Sequence, residues 1–314
     1  MLFQYLCAGI NDNFMIFIPK NKYFSTKLVV FSPLVEYQKQ NILLGRNKTY
    51  FCTRKTENAS TMNSSETLMN SDKTPTRLFD IMEIQTTTRH RRPCFRYGEL
   101  EVYANEYRKA ADKLSYALLA RGLKRGEAVA LIAENRPEWN IIDMAVMQAG
   151  GVLQPLCKGL SAEEYVECLK KSQVRTIFLE NSELFSRFKL ILPQAETLVC
   201  VASIDPCESC ISFPQLLEEG AQHPDTELLA HRQSLISTDD VCVLTYTGGG
   251  TYKRLTHKVL IEEILEQAST ESNRRQAAAG NNALCTLYGR TKNYVCQLIG
   301  RTVNYPLPDT ADTV

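Results

Sequence analysis

From Asn105 to Arg121 apolar residues recur every three or four positions, at Tyr107, Ala110, Ala111, Leu114, Ala117 and Leu118, and Gly122 follows. That spacing is one buried face of a helix, and the glycine marks where it stops. Ala128 to Ala133 is then apolar without a break, as a strand covered on both faces must be. Asn135-Arg136-Pro137-Glu138 opens a second helix that runs through Ala149 and closes on Gly150-Gly151, and Val152 to Leu156 is the next strand. Ser161 and Glu164 have capping-box spacing, which predicts a helix to about Lys171, followed by a strand from Thr176 to Leu179. The alternation continues with a helix around Glu183 to Leu192, a strand at Leu198 to Ala202 and a short helix at Pro214 to Glu219. Strand and helix alternating in this way require right-handed crossovers, so the fold class is α/β: a mostly parallel sheet with helices on both faces.

Val241 to Leu244 is a further run of strand length, and it ends in Thr247-Gly248-Gly249-Gly250-Thr251, with Lys253 and a polar Thr256-His257 pair beyond. Glycines let successive backbone N–H groups converge on a phosphate without Cβ obstruction, and a lysine adds a mobile charge. Thr247, Gly248, Gly249, Gly250, Thr251 and Lys253 are therefore the candidate anion-binding residues. The spacing is not that of a Walker A loop, and on these residues alone a plain flexible turn fits as well as an anion cradle.

The first 61 residues read differently: apolar and aromatic patches are cut by Asn11-Asp12-Asn13 and Pro19-Lys20-Asn21-Lys22 into pieces too short to span a bilayer. No basic stretch precedes an uninterrupted apolar one, so a secretory signal is not expected. Arg46 to Pro75 is rich in Asn, Thr, Ser and Lys, a composition of linkers and disorder, and its sequons at Asn47, Asn58 and Asn63 read as chance matches in a polar segment. The division expected is an unmatched extension and linker over residues 1–75 and a folded region over 76–314. Thirty-six basic against 35 acidic residues leave a net charge of +1, which gives no electrostatic case for nucleic acid as a partner. Arg89-His90-Arg91-Arg92, the densest basic run, reads as a solvated loop. Eleven cysteines without a short secreted framework point to reduced thiols in the cytoplasm, and Cys207-Glu208-Ser209-Cys210 lacks the second ligand pair of a zinc site.

Tyr246-Thr247-Gly248-Gly249-Gly250-Thr251-Tyr252-Lys253-Arg254-Leu255-Thr256-His257 resembles the phosphate loop of the adenylate-forming (AMP-binding) enzymes, Y-T-S-G-T-T-G-x-P-K-G-x-x-L-T-H. It is shorter, lacks the Pro before Lys253 and has Arg254 in place of Gly. Phe95-Arg96-Tyr97, the run Tyr116 to Glu127, and Asn135-Arg136-Pro137-Glu138-Trp139 with Asp143, Ala145 and Gly150 are similar, in order and spacing, to the N-terminal subdomain of acyl-CoA synthetases. Trp139 and Leu153 read as core, and Glu138 as an acid favoured by the helix dipole. Ala283 to Arg290 resembles the P-L-[SC]-H-x-x-E-R segment of the long-chain fatty-acyl-CoA synthetase branch, with Thr286 replacing its His and Gly289 its Glu. Arg290 keeps the family residue, and both a surface and a functional role fit it.

The resemblance implies an incomplete N-terminal domain of the adenylate-forming fold, and a parent activity that joins a fatty acid to ATP as acyl-adenylate and then to CoA as thioester, with magnesium on the phosphates. It also places the adenine and ribose contacts, the catalytic Lys and the C-terminal lid domain in sequence beyond Val314. The expectation is thus an inactive fragment with no catalytic residue of its own and at most weak ATP affinity. The alternatives are a non-catalytic nucleotide- or acyl-binding module, including one paired with a complementary chain, and a degenerate gene product. No transmembrane segment is expected, while peripheral membrane contact stays open. A parallel sheet deprived of a later subdomain would also leave apolar faces and edges uncovered.

Overall fold

The computed structural model describes residues 74–88, 92–248, 251–271 and 282–307. The expected extension and linker over residues 1–75 lie almost wholly outside them. Along the chain run α1 (Asp80–Thr88), β1 (Phe95–Tyr97), β2 (Leu100–Val102), α2 (Ala104–Ala120), β3 (Ala128–Ile132), α3 (Pro137–Gln148), β4 (Val152–Pro155), α4 (Ala162–Lys171), β5 (Thr176–Leu179) and α5 (Ser182–Phe188). There follow β6 (Cys200–Ser203), β7 (Ile211–Ser212), α6 (Phe213–Gln222), α7 (Thr226–Leu235), β8 (Val241–Gly248), β9 (Thr251–Thr256), α8 (His257–Glu271), α9 (Leu287–Leu298) and β10 (Val303–Tyr305).

Seven strands form one sheet in the order β7-β6-β5-β3-β4-β8-β9. β3 pairs in parallel with β4 from Ala128↔Val152 to Leu131↔Pro155 and with β5 from Val129↔Thr176 to Ile132↔Leu179. β8 joins β4 in parallel at Leu153↔Val243, and only β9, on the edge, runs antiparallel. The connection from β3 leads to one side of it and the connection from β4 to the other, so the order reverses at β3. Loops at the carboxyl ends of these strands are where such sheets place their sites. A small second sheet, β10-β1-β2, pairs β1 in parallel with β10 and antiparallel with β2.

Side chains alternate across each strand, and the two faces enter different cores. Val129, Leu131 and Val243 join Leu114 of α2 and Trp139 of α3 in one cluster. Ala130, Ile132 and Leu244 join Tyr165 and Leu169 of α4 and Phe188 of α5 in the other. Both faces are therefore covered by this chain's own helices, which corrects the expectation of bare sheet faces. The boundary strands β7 and β9 are the sheet's edges, and β9 carries exposed Lys253 and Arg254 on its edge, the charge placement that discourages strand addition.

Helix starts follow their capping chemistry. Ser161 Oγ accepts from Glu164 N at 3.2 Å while Ser161 N donates to the Glu164 carboxylate at 2.8 Å. The helix expected to reach Leu192 stops at Phe188, and Leu192–Gln194 forms a separate 3₁₀ turn with Pro193 in its first turn, where its missing N–H leaves no bond unmade. Helix α1 breaks the periodicity rule at its end: Thr86, Thr87 and Thr88 return their hydroxyls to the carbonyls of Glu83 and Ile84 at 2.7–2.9 Å, which satisfies a β-branched run inside a helix.

Candidate functional site

The glycine-rich stretch is the tip of a β-hairpin. The strand does not stop at Thr247 as the apolar run suggested; β8 continues to Gly248, which turns the chain at φ +94°, and β9 returns from Thr251, so Lys253 sits in a strand. Gly249 and Gly250 lie outside the described residues. The hydroxyls of Thr247 and Thr251 lie 2.7 Å apart, Thr251 Oγ1 donates to Gly248 O at 2.6 Å, and Thr247 Oγ1 donates to Thr251 O at 3.1 Å. Register pairs Thr245 with Lys253, Leu244 with Arg254 and Tyr246 with Tyr252. Strand alternation therefore puts Thr251 and Lys253 on the face of Leu255, and Tyr252 and Arg254 on the opposite face, towards α4. Thr247, Thr251 and Lys253 do come together on one side of the hairpin, and among the described residues Lys253 has no ion-pair partner. On the other side the Tyr246 hydroxyl donates to Glu164 at 3.0 Å; the Ser161 N–H and then this hydroxyl hold the carboxyl of Glu164 below its usual range.

At the carboxyl ends of the neighbouring strands the cations are already matched. Lys158, after β4, pairs with Glu134 at 3.1 Å and with Glu180, and Arg136, after β3, pairs with Glu138 and Asp205 at 2.9 Å each. Glu138 is thus a partner of Arg136 as well as an acid at a helix start. The segment before α9 is clasped to this edge twice. Asn135 donates to Asn282 O and accepts from Leu284 N, both at 2.9 Å, and Cys157 is disulfide-bonded to Cys285. The disulfide corrects the expectation that the thiols are all reduced; Cys168, Cys200, Cys207, Cys210 and Cys242 are free thiols. Cys207 and Cys210 are among them, and burial followed by its neighbour Cys207 pushes the Cys210 thiol up to about 12, away from the reactive thiolate form.

The substituted positions of this segment have structural duties. Thr286 Oγ1 accepts from Gly289 N at 3.1 Å and caps α9. A Cβ on Gly289 would come within 2.2 Å of Ala283 O, so the clasped segment rests against α9 only because this residue has no side chain. Arg290 is not on the surface: it is 2% exposed and ion-paired to fully buried Asp143 of α3, with Tyr294 donating to the same carboxylate. Burial pushes the Asp143 carboxyl up, and the Arg290 guanidinium and Tyr294 hydroxyl oppose that rise. Among the described residues Nε and Nη1 of Arg290 have no hydrogen-bond partner, and the guanidinium lies 5.6 Å from the Trp139 ring centroid. Trp139 and Leu153 are core residues as expected.

A cleft of about 570 Å³ opens at the other end of the sheet, beside Ala128, Val152 and Val241, the first residues of β3, β4 and β8. It is remote from the hairpin tip in register, and neither Lys253 nor the tip residues line it. Arg125, Lys171 and Arg254 bring positive charge to it, and His257 forms part of its wall. The sequence pattern gave no sign of this cleft, because its residues come from six separate segments.

The AMP-binding enzyme family model matches residues 82–289. The long-chain-fatty-acid–CoA ligase FadD15 of Mycobacterium bovis is 29% identical over 168 residues, 51% of this chain and 26% of that protein. Fatty acyl-CoA synthetase A of Dictyostelium discoideum is 25% identical over 175 residues, 49% of this chain and 24% of that protein. The chain thus spans about a quarter of the length of these curated relatives. Among solved structures, coronafacic acid ligase from Pectobacterium brasiliense superposes with a TM-score of 0.64 at 15% identity, covering 73% of this chain and 45% of that one, a likeness of fold.

Proposed function

The chain belongs to the AMP-binding enzyme family, and on that premise we propose that it is the nucleotide-facing N-terminal part of a long-chain fatty-acid–CoA ligase. In the reaction proposed, a carboxylate oxygen of the fatty acid attacks the α-phosphorus of ATP and pyrophosphate leaves. The sulfur of CoA then attacks the acyl carbonyl of the adenylate and AMP leaves. The observation that carries the reading is the hairpin, which gathers Thr247, Thr251 and Lys253 on one face in a chain whose family uses such a turn for phosphates. The compartment proposed is the cytoplasm; the thiols of Cys168, Cys200, Cys207, Cys210 and Cys242 support it, and the Cys157–Cys285 disulfide counts against it.

The residues present fit a phosphate better than they fit a metal cage. Among the described residues no group of three His, Cys, Asp or Glu could hold a metal ion. Magnesium would be held by phosphate oxygens and water and would neutralise part of the phosphate charge. Lys253 would contribute one ammonium to the phosphates. The two threonine hydroxyls, now bonded to each other and to the hairpin backbone, would have to exchange those bonds for phosphate oxygens.

This chain alone is proposed to bind polyphosphate weakly and not to turn over. The imidazole and carboxylate expected from the family are absent at Thr286 and Gly289, and the backbone at Gly289 leaves no room for a side chain. Rate depends on holding the carboxylate and the α-phosphate in attack geometry, which one ammonium and a hairpin do not achieve. The test is pyrophosphate release with ATP, magnesium, CoA and a panel of fatty acids, run beside Lys253→Ala. No release above background is expected. Release that disappears in Lys253→Ala would show that the chain is a working ligase.

A further inference from the structure

Cys207 and Cys210, the one C-x-x-C pair in the sequence, stand in the link between β6 and β7, the strand at the edge of the large sheet. Cys210 N donates to Cys207 O at 3.3 Å, so residues 207–210 form a hydrogen-bonded β-turn. Such a turn keeps its first and last Cα atoms within about 7 Å, and a disulfide needs about 4.4–6.8 Å. Both ends of the link are fixed. Asp205 N donates to Glu180 O at 2.8 Å, and the Asp205 carboxylate pairs with Arg136 at 2.9 Å. Beyond the turn, Ile211 pairs with Ala202, and Ser212 N donates to the Gln215 side chain at 2.7 Å where α6 begins. The fold therefore holds the two cysteines in register for a bond.

Packing does not account for cysteines at these positions. A cysteine kept for its volume is a small buried apolar residue, as Cys168 and Cys242 are at 0% exposure. Cys207 and Cys210 are both partly exposed, with Glu208 and Ser209 in solvent between them. The two thiols face each other: after burial, it is Cys207, by hydrogen bond and by charge, that keeps the proton on Cys210. Cys200, at the start of β6, is the third thiol near Cys210, and the Arg121 guanidinium lies against it. With the proton held on Cys210, Cys207 is the sulfur that attacks and Cys210 the one that follows.

We propose that Cys207 and Cys210 are a redox-active dithiol, a site at which a low-molecular-weight disulfide is reduced to two thiols while the turn closes on a disulfide of its own. The Cys207 sulfur, its proton passing to water, attacks one sulfur of the small disulfide, and the other leaves as a thiolate. The Cys210 sulfur, its proton also passing to water, then attacks the Cys207 sulfur of the mixed disulfide and displaces the second thiolate. The two thiolates take up the two protons, so the chain loses two S–H bonds and gains one S–S bond, and two electrons pass to the small disulfide. The site shares no residue with the hairpin, and it stands whether or not the hairpin binds phosphate.

The experiment incubates the full chain with glutathione disulfide, alkylates the remaining thiols, unfolds the chain and cleaves it at Glu208, between the two cysteines. The halves are expected to stay joined until a reductant is added, and closure should be at least about tenfold more favourable than in the chain unfolded in urea. Cys200→Ala should close as the parent does. Cys207→Ser should not close, which excludes a bridge from Cys200 to Cys210. Cys210→Ser should instead retain one glutathione on Cys207, the intermediate that the second thiol resolves. Halves that separate, closure that survives Cys207→Ser or fails in Cys200→Ala, a Cys210→Ser variant free of glutathione, or closure no better than in the unfolded chain would each overturn the proposal.

Discussion

Removing the carboxylate of Asp143 should destabilise the chain more than removing the guanidinium of Arg290, although the two form one ion pair. Both are buried, with side chains 0% and 2% exposed. Asp143→Ala leaves a guanidinium that cannot lose its proton, with Nε and Nη1 unpartnered among the described residues and the Met147 sulfur at 3.7 Å and the Trp139 and Tyr294 rings, 5.6 and 5.9 Å away, around it. An uncompensated buried charge of this kind costs about 3–5 kcal/mol. Arg290→Met leaves a carboxyl that burial has already pushed up, so it can take a proton and keep its bond to Tyr294; the cost falls to about 1–3 kcal/mol. The Asp143→Leu/Arg290→Met double variant removes both charges at similar volume and should cost at least about 2 kcal/mol less than the sum of the singles. Urea unfolding followed by fluorescence is the assay, since Trp139 is the only tryptophan in the chain and lies at the pair itself. Arg290→Met should also become less stable as pH rises. With the folded pKa of Asp143 above its unfolded value of about 3.9, the protonated form is the one the fold favours, and its contribution is lost as pH climbs through the folded value. A cost below about 1 kcal/mol for Asp143→Ala, or additive singles to within about 0.5 kcal/mol, would refute this account of the pair.

Burial, and after it Arg77, pushes the His257 imidazole down to about 4. An unfolded histidine protonates near 6.5, so the fold should be at full strength above that pH and lose about 3 kcal/mol as pH falls to about 4, a slope that denaturation at several pH values measures and that His257→Phe should flatten. Restoring the family residue by Gly289→Glu should lower stability by more than about 3 kcal/mol, because its Cβ meets the backbone oxygen of Ala283; a melting temperature within a degree or two of the parent would show that the 282–284 segment moves freely. Opening the Cys157–Cys285 bridge with a dithiol, or as the Cys157→Ser/Cys285→Ser variant, should cost about 2–4 kcal/mol, since it frees a loop with a sequence separation of 128; an unchanged midpoint under reducing conditions would show that Asn135 alone holds the segment.

The sequence revealed the parallel core where local signals agreed. Helix α4 has its boundaries because Ser161 and Glu164 cap it and Lys171 closes it, and β3 is apolar throughout because it is buried on both sides. Elements whose signals are tertiary were not legible. Helix α1 ends in three threonines that a propensity argument rejects, and α7 has only Leu229 buried, so it shows almost no apolar stripe. At the site, the glycines announced a turn, but only register showed the turn to be a hairpin with Lys253 in its second strand. The role of Arg290 was undecidable from its neighbours in sequence, because its partner Asp143 lies 147 positions away. The bridge between Cys157 and Cys285 was hidden for the same reason, since composition counts thiols and does not pair them.

Strand β9 shows how a two-residue period can separate two chemistries. Lys253 and Arg254 are adjacent in sequence and carry the same charge, yet the pleat sends one to the face of Thr251 and the other towards α4. The family pattern has a lysine followed by glycine here, and a glycine at the second position would leave the α4 face without charge. Arg254 therefore adds a cation to the amino-edge cleft without altering the face on which Lys253 and the threonines meet. A one-residue slip of β9 would exchange the two, bringing the guanidinium to the phosphate side and burying an ammonium beside Leu244 and Tyr252. What holds the register is Leu255, 1% exposed and opposite Val243, which a slip would turn out of the core. The identity of residue 255 thus decides which cation each face receives, and a polar substitution there should loosen the placement of Lys253 and Arg254 at once.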